Sequence, residues 1–92
     1  MKQKTYKFST DQDNITKFLS KYNDKIKTRL AKEMMELQFF PLKGDIKKLK
    51  NKYFAGMPLY RKRVNDFRIF FVMDHDEEYV HIPYIKHRKD AY

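Results

Sequence analysis

The chain of 92 residues contains no cysteine and no long apolar run. Without cysteine, disulfides and thiolate metal sites are excluded, so a hydrophobic core must hold the fold together. No apolar stretch approaches the roughly 20 residues of a membrane-spanning helix, and the N-terminus lacks the apolar stretch of a signal peptide. Repeats and low-complexity segments are also absent. We therefore expect a single cytoplasmic domain covering residues 1–92, with no membrane association.

Positive charge and aromatic side chains are abundant. The 21 Lys and Arg residues outnumber the 12 Asp and Glu residues, which gives a net charge of +9 and a pI of about 9.7. Such a surface favours nucleic acid, anionic lipid or an acidic protein as partner, although solvated surface lysines would give the same balance. The 7 Tyr and 8 Phe residues can supply much of the buried area of a small core.

The first half of the chain predicts one short strand and two helices. Residues 4–8 alternate polar and apolar side chains, as a strand does, and residues 9–12 (Ser-Thr-Asp-Gln) have the spacing of a helix capping box. Two apolar stripes with helical spacing follow, the first at Ile15, Phe18, Leu19 and Tyr22 and the second at Ile26, Leu30, Met34 and Leu37. We expect the second helix to reach about Phe40 and, because only Asn23-Asp24 separates the two, a helical hairpin.

The second half predicts strands. Residues 45–50 form a short, basic, extended segment, and residues 52–58, with Gly56 and Pro58, predict a loop. Three strands are then predicted, at residues 59–64, 67–74 and 79–86, separated by polar turns. The resulting order, β-α-α-β-β-β, predicts an α+β fold in which the helical hairpin covers one face of an antiparallel sheet.

Arginines occur at unusual positions in these strands. In residues 59–64 the pleat directs Arg61 and Arg63 to one face, opposite the face of Lys62. Arg68 lies just beyond the turn, so the hairpin can gather three guanidinium groups on the face away from the helices. Like charges opposed across strands destabilise a sheet, which favours an anionic target such as RNA over three merely solvated arginines.

The C-terminal half resembles the signature of RelE-type toxins, members of the RelE/ParE superfamily of type II toxin–antitoxin systems. The resemblance is carried by residues 48–50 (Lys-Leu-Lys), 60–69 (Tyr-Arg-Lys-Arg-Val-Asn-Asp-Phe-Arg-Ile) and 87–92 (His-Arg-Lys-Asp-Ala-Tyr). It implies a toxin that inhibits translation as a ribosome-dependent mRNA endonuclease. Such an enzyme cuts codons in the ribosomal A site by attack of a 2′-OH, without metal or other cofactor. The implied partners are the 70S ribosome carrying mRNA and an acidic antitoxin that wraps the domain.

By motif match, the resemblance places five residues in the active site, namely Arg61, Arg63, Arg68, Arg88 and Tyr92. Arginine is a poor base and a good charge clamp for a phosphate. The proton acceptor is left open between Tyr92, which the motif favours, and His87, which is a candidate by residue type. One departure from the family pattern is Lys62, where an aliphatic residue is usual, so this strand is either exposed there or its lysine snorkels.

A second basic set suits the phosphates of ribosomal RNA. It consists of Lys25, Arg29, Lys32, Lys47, Lys48 and Lys50. For each residue alone, a solvated surface is an equally good interpretation. Two other functions remain open at this stage: a ParE-like toxin that inhibits gyrase and has no nuclease activity, and an RNA-binding relative that has lost activity.

Overall fold

The computed structural model describes residues 3–90, in which strands flank a pair of helices. The strands are β1 (Lys4–Thr5), β2 (Lys7–Thr10), β3 (Phe39–Phe40), β4 (Asp45–Phe54), β5 (Met57–Val64), β6 (Phe67–Asp74) and β7 (Tyr79–His87). The helices are α1 (Gln12–Leu19) and α2 (Asp24–Met35), and short 3₁₀ turns cover Glu36–Gln38 and Arg88–Asp90. None of the helices within residues 3–90 is long and apolar enough to cross a membrane.

Five of the strands form one sheet in the order β2-β7-β6-β5-β4. The neighbours are antiparallel except β2 and β7, which run parallel, with Phe8 opposite Val80. Strand β7 follows all the others in sequence and lies between β2 and β6. The predicted α+β fold, with the two helices on one face of an antiparallel sheet, is confirmed, except that β2 joins that sheet as a parallel strand.

The helices begin close to where the sequence predicts. The carboxylate of Asp11 caps α1 by accepting from the backbone N–H of Asn14 at 3.1 Å, and Asn23 caps α2. The predicted capping box at residues 9–12 is wrong because Ser9 lies in β2, paired with His81 in extended conformation. The Ser9 hydroxyl is instead hydrogen-bonded to the Nδ1 of His81 at 2.7 Å and to the Tyr79 hydroxyl.

The second helix is shorter than its apolar stripe suggests. It ends at Met35, and the chain then turns into β3, which pairs with β1. The Tyr6 backbone N–H donates to the Gln38 carbonyl at 2.7 Å, and the ring of Phe40 stacks on that of Tyr6 at 5.5 Å. This long-range pairing with the N-terminal strand overrides the helical spacing.

The predicted loop at residues 52–58 is also wrong. Strand β4 continues to Phe54 and meets β5 through a tight turn at Ala55 and Gly56, which have φ angles of 51° and 78°. Asn51, with a φ of 58°, lies within a register shift between Lys48 and Tyr53. This bulge keeps β4 in the sheet across a segment whose composition is typical of a loop.

The main core lies between the helices and one face of the sheet. Its members include Ile15, Leu30, Met34 and Leu37 from the helical layer and Ile69, Phe71, Val80, Ile82 and Ile85 from the sheet. The opposite face, which we call the outer face, carries a second, smaller buried cluster of Leu59, Phe70 and Val72. No helix covers this cluster in the described part of the chain, so the outer face of the sheet is open to solvent.

Candidate functional site

Three arginines share the outer face because of strand register. Arg63 is paired directly with Arg68 across β5 and β6, and Arg61 is paired with Phe70 of the outer cluster. Side chains of paired residues in antiparallel strands emerge on the same side of the sheet. The structure thus brings together the three arginines that the sequence assigned to one face.

A lysine that the sequence analysis did not select extends this set. Lys86 of β7 is paired with Arg68, so Arg63, Arg68 and Lys86 lie side by side across three strands. We call these three residues together with Arg61 the cationic row. Alternation along β7, with Ile85 and His87 on the helix side, was the signal that could have identified Lys86.

Asp45 of β4 closes the row at its end. It is paired with Arg63 in register, and its side chain accepts from the Nη1 of Arg61 at 3.3 Å. Because Asp45 is 55% exposed, this ion pair is largely screened by water. One partly hydrated carboxylate thus accompanies four cations, and the row keeps a strong excess of positive charge.

The guanidinium groups of Arg61 and Arg68 are fixed by hydrogen bonds within the protein. Arg68 is only 7% exposed, and its Nη1 donates to the carbonyls of Asn65 and Phe67, both at 2.9 Å. Among the described residues, the buried Nε atoms of Arg61 and Arg68 have no hydrogen-bond partner. A buried unsatisfied donor costs about 1–3 kcal/mol, more when it is charged. These Nε atoms are shielded from the surface, so an anion bound at this face would compensate the charge of the two guanidinium groups without bonding to the Nε atoms.

His87 does not join the row. It is paired with Phe67, whose ring packs against Tyr22 beyond the end of α1 at 5.1 Å. The imidazole meets the Phe67 ring edge-on at 5.5 Å, and its Nδ1 accepts from the backbone N–H of Lys89 at 3.2 Å. His87 therefore lies on the helix side of the sheet, across from the arginines.

Arg88 lies beside the turn that joins β5 to β6. Its backbone N–H donates to the carbonyl of Asp66 at 2.7 Å, and its Nε lies 3.5 Å from an Asp66 carboxylate oxygen. The side chain is 58% exposed, so it is free to turn toward a ligand. Tyr92, the remaining residue of the motif, lies outside the described residues. Among residues 3–90, no three His, Asp or Glu side chains are grouped so as to hold a metal ion.

Comparison with known protein families identifies the family to which this chain belongs. A sequence profile of the family described as ParE toxin of type II toxin–antitoxin system, parDE, matches residues 5–92. The chain belongs to this toxin family, within the RelE/ParE superfamily. No curated protein sequence matches it significantly.

Two solved structures share the fold of the toxin. One is an archaeal RelE–RelB complex from Pyrococcus horikoshii OT3, with a TM-score of 0.74 and 23% identity, covering 95% of this chain and 99% of that one. The other is the toxin–antitoxin complex RelBE2 from Mycobacterium tuberculosis, with a TM-score of 0.73 and 19% identity, covering 95% of both chains. At these identities the similarity establishes the fold.

The second basic set of the toxin does not form one surface. The helical members, Lys25, Arg29 and Lys32, are exposed along α2 and line a groove of about 410 Å³ between that helix and the β5–β6 turn. On β4, Lys47 is paired with Arg61 and lies on the outer face, while Lys48 is paired with Tyr60 on the helix side. Lys50 lines a concavity on the outer face.

Lys62, the departure from the family pattern, is buried on the helix side. It is 2% exposed, and its Nζ lies 3.2 Å from a Glu33 oxygen and 3.4 Å from a Glu36 oxygen. Both expectations for this residue are therefore wrong, because the strand is not exposed here and the ammonium group does not reach solvent by snorkelling. Lys62 lies between Arg61 and Arg63 on β5, and its ion pairs link this strand to the C-terminal end of α2.

Proposed function

We propose that this toxin is a ribosome-dependent mRNA endonuclease that acts in the cytoplasm, cuts the codon in the ribosomal A site and so inhibits translation. The observation that carries the proposal is the cationic row. Two of its arginines are nearly buried, and burying a charge is costly unless an opposite charge compensates it. A sheet that only needed stability would not place like charges opposite one another across three strands, as Arg63, Arg68 and Lys86 are.

The reaction we propose is attack of a ribose 2′-oxygen on the adjacent phosphorus. The bond between the 2′-oxygen and phosphorus forms, the bond from phosphorus to the 5′-oxygen breaks, and a 2′,3′-cyclic phosphate results. The 2′-hydroxyl proton passes to a base, for which we propose Tyr92, and the leaving 5′-oxygen takes up a proton from water. His87 is a weaker candidate because its ring lies across the sheet from the row.

The arginines are proposed to stabilise the charge that builds up on the phosphate oxygens. Fixed donors aimed at a developing anion are among the largest contributions to catalysis. Arg61 and Arg68 are preorganised by their hydrogen bonds to Asp45 and to the turn. Arg63 and Arg88, which are exposed, would close on the phosphate from the edge of the row.

The partners we propose are the 70S ribosome carrying mRNA and an acidic antitoxin. Support for the ribosome comes from the net charge of +9 and from the exposed lysines of α2 and β4, since phosphate contacts dominate affinity for RNA. Support for the antitoxin comes from the two structural neighbours, which are complexes of a toxin with its antitoxin.

The test is to add the toxin to ribosomes programmed with a defined mRNA and to map cuts by primer extension. We expect cleavage in the A-site codon, and we expect Arg68→Ala to slow it by at least about a hundredfold, the usual loss for one donor to a transition-state oxyanion. Ribosome binding should change little. Lys17→Ala is the control, because it removes a positive charge from the exposed side of α1, outside the cationic row and the second basic set. Intact codons at saturating toxin would refute the nuclease.

A second candidate is a gyrase inhibitor without nuclease activity, favoured by the family profile, which describes ParE toxins. The same preparation should then be mixed with gyrase and supercoiled DNA. Accumulation of cleaved gyrase–DNA complexes, with A-site codons left intact, would establish this alternative. Ribosome binding without either activity would indicate an inactive relative.

A further inference from the structure

The outer face has a concavity beside the cationic row that the proposed reaction does not use. Its floor is apolar and aromatic, formed by Leu49, Leu59, Phe70 and Tyr84. Lysines form its rim, namely Lys50, Lys52 and Lys86. The volume is about 230 Å³, below the roughly 300–1,000 Å³ of sites for drug-sized ligands. A concavity of this size suits a single planar group.

The floor presents an aromatic surface to solvent. Phe70 and Tyr84 are paired across β6 and β7, and their ring centroids lie 5.0 Å apart with 34° between the planes. Phe70 is 5% exposed, which leaves the partly buried Tyr84 ring as the more accessible member. Aromatic rings held in this way on a sheet are platforms on which nucleobases stack.

The position of Tyr84 relative to the row fits one nucleotide. The Arg68–Lys86 pair is the next same-face pair along the strands from Phe70–Tyr84, so the two pairs are about 7 Å apart. The ammonium group of Lys86 lies over the Tyr84 ring, 5.3 Å from its centre, so a stacking base would displace this exposed side chain toward the phosphate. A base on Tyr84 would keep its own phosphate within reach of Arg68.

The charge of the site also suits a nucleotide. The three rim lysines match the negative charge of a nucleic acid backbone.

We propose that the Phe70–Tyr84 concavity is a nucleobase subsite, which binds by stacking the base of the nucleotide next to the phosphate held by the cationic row. The subsite rests on the proposed function in that its ligand is single-stranded RNA. It does not require that this RNA be cut.

The test measures binding of a short single-stranded RNA to the toxin alone, by fluorescence anisotropy at low salt. Tyr84→Ala should weaken binding about tenfold, since stacking of one base on an aromatic ring contributes about 1–3 kcal/mol. Tyr84→Phe keeps the ring and should stay within about twofold. The dependence of affinity on salt should not change, because no phosphate contact is lost.

Matched variants separate stacking from general damage. Tyr53→Ala removes a 66% exposed tyrosine from the same part of the sheet and should bind like the native toxin. Tyr84→Leu keeps apolar bulk over Phe70 and should bind as weakly as Tyr84→Ala if the aromatic ring is what matters. An RNA with an abasic position opposite Tyr84 should abolish the difference between Tyr84→Ala and the native toxin.

Failure of the subsite and failure of the nuclease are distinguishable. RNA binding that depends on Tyr84, with no cleavage on ribosomes, would keep the subsite and reject the nuclease. Cleavage on ribosomes, together with RNA binding that is unchanged in Tyr84→Ala, would keep the nuclease and reject the subsite. No binding of RNA by the native toxin, or response of the Tyr84 NMR signals to an acidic antitoxin peptide but not to RNA, would overturn the subsite.

Discussion

Replacing Glu33 and Glu36 together by glutamine should destabilise the toxin far more than replacing Lys62, the residue they contact. The Nζ of Lys62 lies 3.2 Å from Glu33, 3.4 Å from Glu36 and 3.4 Å from the Glu33 carbonyl. The lysine side chain is 2% exposed, whereas the glutamates are 18% and 39% exposed. Water can therefore reach the acids but not the ammonium group.

The expected loss of stability follows from this difference in exposure between the lysine and the glutamates. Glu36→Gln alone breaks a half-exposed ion pair, worth about 0.2–1 kcal/mol. Glu33→Gln with Glu36→Gln leaves a buried ammonium without a counter-charge, which costs about 3–5 kcal/mol. We expect about 3 kcal/mol, since each glutamine keeps a hydrogen-bond acceptor. Lys62→Met removes the buried charge, keeps the chain length and frees both acids to be hydrated, so stability should change by no more than about 1 kcal/mol.

Urea unfolding followed by circular dichroism measures these differences. With a slope of about 1–3 kcal/mol per molar urea, the double variant should unfold about 1–3 M earlier than the native toxin. Asp76→Asn with Glu77→Gln, in the exposed turn between β6 and β7, is the control for loss of two negative charges. The reasoning is refuted if the double variant matches the native toxin, or if Lys62→Met loses as much stability as the double variant does.

Three further predictions concern other contacts. Gly44 has a φ of +101°, and an added Cβ would lie 3.0 Å from the Cε of Lys62. Gly44→Ala should therefore lower the free energy of unfolding by about 2–3 kcal/mol, measured by urea unfolding. Gly56→Ala, where an added Cβ meets no atom within 4 Å, should lower it by only about 1 kcal/mol. Burial raises the pKa of Tyr84 in the folded state, so above pH about 10 this tyrosine ionises more readily in the unfolded chain. The stability of the native toxin should therefore fall as the pH rises above about 10. In thermal melts, the melting temperature of Tyr84→Phe should fall less over the same pH range. Asp45→Asn frees the Nη1 of Arg61 from its carboxylate, so in anisotropy titrations RNA affinity should rise while stability falls by less than about 1 kcal/mol; unchanged affinity would mean that Arg61 does not meet the anion.

Local patterns in the sequence were enough to predict the core of the fold. The apolar stripe through Leu30, Met34 and Leu37 is buried as expected, because helical spacing alone decides which side of a helix faces a sheet. The turn at Asn65 also follows from local chemistry, since this residue adopts a φ of 53° and asparagine tolerates positive φ.

Features that depend on distant partners could not be predicted. The end of α2 is set by pairing of β3 with β1, and the burial of Lys62 is set by acids from the helical layer. Strand alternation in β7 is interrupted where Ile82 and Pro83 are both buried, next to a register shift opposite Phe71. Counting alternate residues from the start of β7 therefore places Lys86 on the wrong face. Only the local alternation of apolar Ile85 with charged Lys86, at the end of the strand, indicates the outer face for Lys86.

The place of β7 in the sheet has a consequence for synthesis of the toxin. This strand supplies Tyr84 and Lys86 and bridges β2 to β6, yet it is translated after every other strand of the sheet. Until it emerges, β2 has no neighbour in the sheet and β6 has an open edge. Such long-range closure is slow, in the range of milliseconds to seconds for β-rich domains. The face that we propose contacts RNA is therefore assembled only after β7 has been translated.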